Sequence, residues 1–250
     1  MTGVAKGTVL KLLADVGKAC FEYQDKTLKN LTCKKIQCDE IWAFCYAKEK
    51  NVPDDKKRVF GFGDIWTFTA ICADSKLVPS WHIGKRDLEN ATIFMKDLAD
   101  RLKNKIQLTT DGHKMYLEAV ESAFGVDIDF SQLIKIYGTT PEAEKRYSPA
   151  QCIGTERNRI TGNPKDKDIS TSYIERQYLT MRMNMRRFTR LTNGFSKKAE
   201  NLFYAVSLYF MYYNFCRIHQ TLRVSPAMEA GVTDRLWDIE DIIYLLDNKN

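Results

Sequence analysis

Three acidic residues stand where a carboxylate is costly or conspicuously placed. Asp39 lies inside an otherwise apolar, strand-like run (Ile36, Cys38, Ile41, Trp42, Phe44). Asp111 closes a short apolar run and is followed by Gly112, and Glu175 falls in the first turn of a helix that Ser172 can cap. An unpaired carboxylate in a central strand is expensive to desolvate and needs a cation or hydrogen bonds in compensation. The three are 72 and then 64 residues apart, on three separate predicted elements. Carboxylates converging in this way make an oxygen-only site suited to Mg²⁺ or Mn²⁺. Two such ions, about 3.5–4 Å apart, support in-line phosphoryl displacement by a water or a 3′-hydroxyl. That chemistry needs no protein nucleophile, and the sequence offers no convincing Ser or Cys triad. Glu40 and Asp64 are alternative ligands.

Basic residues follow the third carboxylate. Arg182 is seven positions after Glu175, two turns along the same helical face, and Arg186 is four further. Between 176 and 223 the chain carries nine basic side chains (Arg176, Arg182, Arg186, Arg187, Arg190, Lys197, Lys198, Arg217, Arg223) against Glu200 alone. Residues 224–250 are acidic, with six acidic and two basic side chains. A concentrated basic segment is the footprint of a polyanionic partner, with a solvated helix face as the bland alternative. Guanidiniums along one helix face suit phosphates through bidentate hydrogen bonds.

Other chemistries find little support. Seven cysteines are scattered with no C-x-x-C, and His82, His113 and His219 are too far apart for a local metal motif. The thiols read as small core residues. The 250-residue chain is 44% hydrophobic and 28% charged, with no apolar run long enough to span a bilayer and no secretory signal at its start. A cytoplasmic protein without a membrane partner is expected.

The elements that must position these groups can be read coarsely. Residues 1–19 suit the turn and second helix of a helix-turn-helix, closed by Gly17. Strands are predicted over 34–47, 64–73 and 77–83, then a helix from an Asp87 cap to Arg101 with Ala91, Phe94, Met95 and Leu98 on one face. A strand over 106–110, a helix over 113–124 and a fifth strand over 128–137 come next. Residues 138–172 hold Pro and Gly without a sustained period and read as an irregular insertion. Helices are predicted over 173–188 and 196–216, with a last amphipathic helix around Leu236, Ile239, Ile242 and Leu245. The order predicts an α/β fold of ribonuclease H-like type. A mixed five-stranded sheet is flanked by helices, with the insertion before the last catalytic helix and a helical C-terminal extension. Three regions are expected: an N-terminal helix-turn-helix remnant (1–30), the main domain (31–223) and an acidic tail (224–250).

The segments QCDEIWAFCYAKEKN, LTTDGHKMYLEAV, STSYIERQYLTMRMNMRRFTRLTNGFSKKAEN and YYNFCRIHQTLRVSPAMEAG together resemble bacterial DDE transposases of the insertion-sequence-one type. The resemblance runs from about residue 31 to 234. It implies that Asp39, Asp111 and Glu175 are the catalytic and metal-binding triad, and that Arg182 is the basic residue two turns after the glutamate. It further implies metal-dependent nicking at transposon ends and attack of the freed 3′-hydroxyl on target DNA, by a homodimer or higher assembly using two Mg²⁺ or Mn²⁺ ions. Arg176, Arg186, Arg187, Arg190, Lys197, Lys198, Arg217 and His219 are the accompanying candidates for DNA contact. For His219 a helix-terminal histidine satisfied by a carbonyl is the competing reading. Such transposases carry a fuller N-terminal DNA-binding region than residues 1–30 supply. Two rival functions therefore stand: a ribonuclease H-like nuclease without strand transfer, and a non-catalytic DNA-binding derivative.

Overall fold

The computed structural model describes residues 3–138, 150–189 and 192–247. A helix, α1 (Lys6–Thr27), precedes a three-stranded antiparallel meander of β1 (Lys35–Cys45), β2 (Gly63–Cys72) and β3 (Trp81–Gly84). The chain then crosses over through α2 (Leu88–Arg101), whose N-cap Asp87 accepts from the Asn90 backbone N–H. It returns as β4 (Gln107–Thr110), parallel to β1. A second crossover through α3 (Met115–Phe124) leads to β5 (Asp129–Tyr137), parallel to β4. The sheet is completed by β6 (Cys152–Thr161), antiparallel to β5, giving the order β3-β2-β1-β4-β5-β6. The chain is thus an α/β protein with a mixed six-stranded sheet flanked by helices.

The sixth strand corrects the expected count of five and lies inside the segment 138–172 that read as irregular. Its side chains are exposed or half-exposed on both faces, so no apolar alternation marks it in the sequence. Residues 139–149 of that segment lie outside the described residues.

Alternation along β1 and β2 divides the core into two layers. On one face Ile36, Cys38, Phe68 and Ala70 pack with Phe94 and Leu98 of α2 and with Tyr116 and Val120 of α3; Val16 and Cys20 of α1 close this layer. On the other face Ile41, Ala43, Ile65 and Ile71 pack against α4 (Ser172–Asn184) and α5 (Ala199–Met211) through Ile174, Tyr178, Met181, Leu202 and Val206. All seven cysteines are free thiols. Five are buried as expected, whereas Cys152 is exposed and Cys216 half-buried.

Several boundaries depart from the sequence reading: β3 begins at Trp81 rather than 77 and α5 at Ala199 rather than 196, and three others have a clear cause. Gly17 sits inside α1 rather than ending it, because α1 crosses α5 there: a Cβ at Gly17 would lie 2.4 Å from the Tyr204 Cβ and 2.7 Å from its backbone. Helix α1 thus runs on past the expected end at Gly17 to Thr27 and docks on α5 and α7 (Ile239–Asp247). Helix α4 stops at Asn184, where the Thr189 hydroxyl donates to the Arg182 carbonyl and Phe188 turns into the core. Helix α5 ends at Met211 and continues as a π-helical turn, Tyr212–Cys216. The turn carries the fully buried Asn214, whose amide accepts from the Val78 N–H at 3.0 Å and donates to the Val78 carbonyl at 2.9 Å. That pairing satisfies both backbone polar groups of Val78. A short helix, α6 (Pro226–Glu229), capped by Ser225, precedes α7. Among the described residues no helix is long and apolar enough to cross a membrane.

Candidate functional site

The site forms where β4 ends. Pairing between β1 and β4 stops at Gln37–Thr109, so β1 runs on past its neighbour and its next residues face a crevice. Asp39 and Glu40 occupy that overhang, and Asp111 leaves β4 into the same space. Carboxylate oxygens of Asp39, Glu40 and Asp111 lie within 4.8 Å of one another, a grouping that could hold a metal ion. Gly112 is required here because a Cβ would come within 2.7 Å of Ile134 Cγ1 on β5. The backbone N–H of His113 donates to Asp111 Oδ1 at 3.0 Å.

Adjacent strand residues point to opposite faces, and the partners of the tandem acids show it. Glu40 faces α3: its side chain is fully buried, accepting from Tyr116 Oη at 2.6 Å and from Arg86 Nε at 2.5 Å. Arg86 stacks on Trp66, 4.6 Å from the ring centre, and its other nitrogen lies 3.7 Å from Asp111 Oδ2. Asp39 faces α4, where Tyr178 donates its hydroxyl to the Asp39 carbonyl and Asp39 Oδ1 accepts only the Glu40 N–H, at 2.8 Å, among the hydrogen bonds of the described residues. Helix α4 is held against β1 by Gln37, whose Oε1 accepts from the Tyr173 and Ile174 N–H groups at 2.8 and 3.2 Å. This brings Glu175 to the same cleft, of about 650 Å³, lined also by Lys135, Thr171, Tyr178 and Arg182. Glu175 is engaged there: Thr171 donates to Oε1 and Lys135 Nζ lies against Oε2, each at 2.5 Å.

The electrostatics follow from this crowding. Burial pushes the Asp39 carboxyl well above its ordinary value, and the charges of Glu40, Asp111 and Glu175 push the same way; the Glu40 N–H only partly opposes them. Glu40 is raised by burial and by Asp111, against the stabilising Tyr116 and Arg86. Lys135 is raised overall, since the bond and charge of Glu175 outweigh burial. Excess negative charge on oxygen-only donors is what a hard divalent cation relieves, so the donor set fits Mg²⁺ or Mn²⁺.

All three sequence-predicted carboxylates therefore line one cleft. The closest cluster contains Glu40, one of the two alternative ligands, in place of Glu175. Asp64 is remote, opposite Phe44 at the far end of β1 and hydrogen-bonded with Glu49. Arg86, Tyr116, Lys135 and Tyr178 were not singled out; only Lys135, a lone cation between Ile134 and Ile136, carries a local signal.

The basic residues do not form one row. Arg182 lines the cleft, and Arg176 is exposed on α4. Because α4 ends at Asn184, Arg186 belongs to a separate turn (Arg186–Phe188) and does not continue the Glu175–Arg182 face. Arg187 is half-buried, donating to Ser196 Oγ at 2.8 Å. Arg190 lies outside the described residues. Lys197 and Lys198 are exposed just before α5. Arg217 borders an apolar groove between α1, α5 and α7, away from the carboxylates. The His219 ring pairs with Thr221 Oγ1 at 3.0 Å rather than with a carbonyl, and burial, Lys76 and Arg217 lower its pKa. Between these cations in sequence, Met181 is buried and Met183 is exposed.

No family model matches this chain, and no curated protein matches it. The functional reading therefore rests on the cleft and on the sequence motifs.

Proposed function

We propose that this chain is a ribonuclease H-like DNA strand transferase of the insertion-sequence-one transposase type, acting in the cytoplasm on transposon ends and target DNA as a homodimer or higher assembly. The observation that carries the reading is the meeting of Asp39, Asp111 and Glu175 in one cleft from β1, the end of β4 and the start of α4. The strand order through β3-β2-β1-β4-β5 supports it, since that is the order expected of a ribonuclease H-like sheet.

Asp39 and Asp111 would hold the ions, with Glu40 or Glu175 completing the set. Two bound Mg²⁺ or Mn²⁺ ions would stabilise the scissile phosphate and the attacking and leaving oxygens of an in-line displacement. The chain's own part is positional. Gln37 and Tyr178 fix α4 on β1, Arg86 and Tyr116 fix Glu40, and Arg182 places a guanidinium beside the phosphate path. Lys135 neutralises Glu175 until Glu175 is recruited.

Joining tests the reading. A labelled duplex ending in a free 3′-hydroxyl, bearing the end sequence that flanks this gene, is incubated with supercoiled plasmid and Mn²⁺. Covalent transfer of label to plasmid is expected. Nicking without joined product would leave the nuclease alternative, and binding without either would leave the non-catalytic one.

A further inference from the structure

The free edge of β1 is open in one further place. Past Gln37 no described strand pairs with β1 on the β4 side until Cys45, which bridges to Ser196, with the Tyr46 N–H donating to the Ser196 carbonyl at 2.9 Å. Between the acidic cleft and that bridge lies a slot of about 400 Å³. Its aromatic surface is continuous: the Trp42 and Phe44 rings are 5.7 Å apart, and Phe195 lies 4.7 Å from Phe44 at an interplanar angle of 31°. Cations flank the rings, with Lys48 Nζ 6.0 Å from the Phe44 centre and Lys197 Nζ 4.0 Å from that of Phe195. Arg187 forms part of the wall, fixed by its bond to Ser196, and Asn193 adds an amide with both donor and acceptor. None of the described lining residues is acidic.

We propose that this slot receives an unpaired nucleobase of a DNA strand whose phosphate lies in the acidic cleft. Flat rings offer stacking to any base, the flanking cations suit the phosphates on either side, and an amide can meet a base edge. Trp42 and Phe44 are three and five residues beyond Asp39, about 10–17 Å along an extended strand. A single strand leaving the cleft reaches the slot within a few nucleotides. An apolar peptide would gain nothing from the cations. The inference deepens the strand-transfer reading and rests on it for the placement of the phosphate, but base binding itself needs no catalysis.

The test is metal-free binding of a fluorescent oligothymidylate to the full chain at fixed low salt, beside a wholly abasic oligomer of equal length. Phe195→Ala is expected to weaken oligothymidylate binding about tenfold, the order of one lost base–aromatic stack. The same change is expected to alter abasic binding less than about twofold, since only phosphates remain to be held. Phe195→Tyr, which keeps a ring, restores binding and the melting temperature reports that each variant is folded. Equal oligothymidylate affinity for wild type and folded Phe195→Ala overturns the slot. So does an equal loss on both oligomers, which would make Phe195 a support for phosphate-binding groups. Failure of wild type to nick or join DNA counts against the strand-transfer reading and leaves the oligomer comparison readable.

Discussion

Asp39→Asn is expected to stabilise the protein and disable it at once. In the folded chain the Asp39 carboxyl sits well above its ordinary value of 3.8, because it is buried beside Glu40 and Asp111. A group raised on folding lends its stability fully below its unfolded pKa and loses it as pH rises through the folded one. Above its unfolded pKa and without metal, Asp39 is therefore a net cost, and that cost grows less as pH falls. The neutral isostere removes that cost. A higher melting temperature than wild type is therefore expected in the absence of metal, the difference shrinking as pH falls. Saturating Mn²⁺, at a hundredfold over Kd, should add about 2.7 kcal/mol to wild type and nothing measurable to the variant. Loss of a metal ligand should lower nicking at least a thousandfold, an effect of about 4 kcal/mol or more on the barrier. Thermal melts with and without Mn²⁺ from pH 5 to 8 check this. An Asp39→Asn variant less stable than wild type at pH 8, or one still stabilised by Mn²⁺, would contradict the assignment.

Glu40→Ala is expected to do the opposite to stability. Glu40 is fully buried in its side chain and satisfies both the Tyr116 hydroxyl and the Arg86 guanidinium. Removing one partner of a buried pair costs about 3–5 kcal/mol; with Arg86 about one-third exposed, the loss should fall near the lower figure. Tyr116 Oη, left without its acceptor, adds to it. Glu40→Gln keeps the shape and an acceptor for Tyr116 and should be less destabilising than Glu40→Ala. Arg86, released from Glu40, lies close enough to move onto Asp111, so Glu40→Ala should also raise the metal concentration needed for half-maximal activity. Urea melts and a Mn²⁺ titration of nicking measure both. A Glu40→Ala variant as stable as wild type would show that Glu40 is not the anchor of this network.

The residues that proved legible are those whose local context contradicts their chemistry. Asp39 interrupts an apolar strand, Asp111 meets a glycine at a strand end, and Glu175 falls in the first helical turn of α4; each could be placed on its element from sequence alone. Ser172, however, is the first residue of that helix rather than its cap, and the N-cap, Thr171, makes no side-chain cap bond. What brought Glu40 into the cluster was not local. Period-two alternation puts it on the other face from Asp39, and only the early end of β4 lets both reach one crevice. Arg86 comes from 46 residues beyond its partner Glu40 and Lys135 from 40 residues before its partner Glu175, relations no spacing rule contains. β6 was hidden because an edge strand solvated on both faces has no hydrophobic period, and α4 was drawn too long because its stop depends on the tertiary bond from Thr189 to the Arg182 carbonyl. The charge run 176–223 is real as composition, yet folding scatters it: Arg182 stays at the cleft, Arg187 turns inward and Arg217 goes to another groove.

The central claim is that this carboxylate cleft performs metal-dependent phosphoryl transfer on DNA. Its most direct measurement is nicking of an end-labelled duplex carrying the sequence that flanks this gene, with Mg²⁺ or Mn²⁺, comparing wild type with Asp111→Asn. The account predicts nicking that requires the metal and falls at least a thousandfold in the variant, with salt-sensitive DNA binding retained by both. Nicking that survives Asp111→Asn, or a wild-type chain that binds this DNA and never cuts it with either metal, would contradict it.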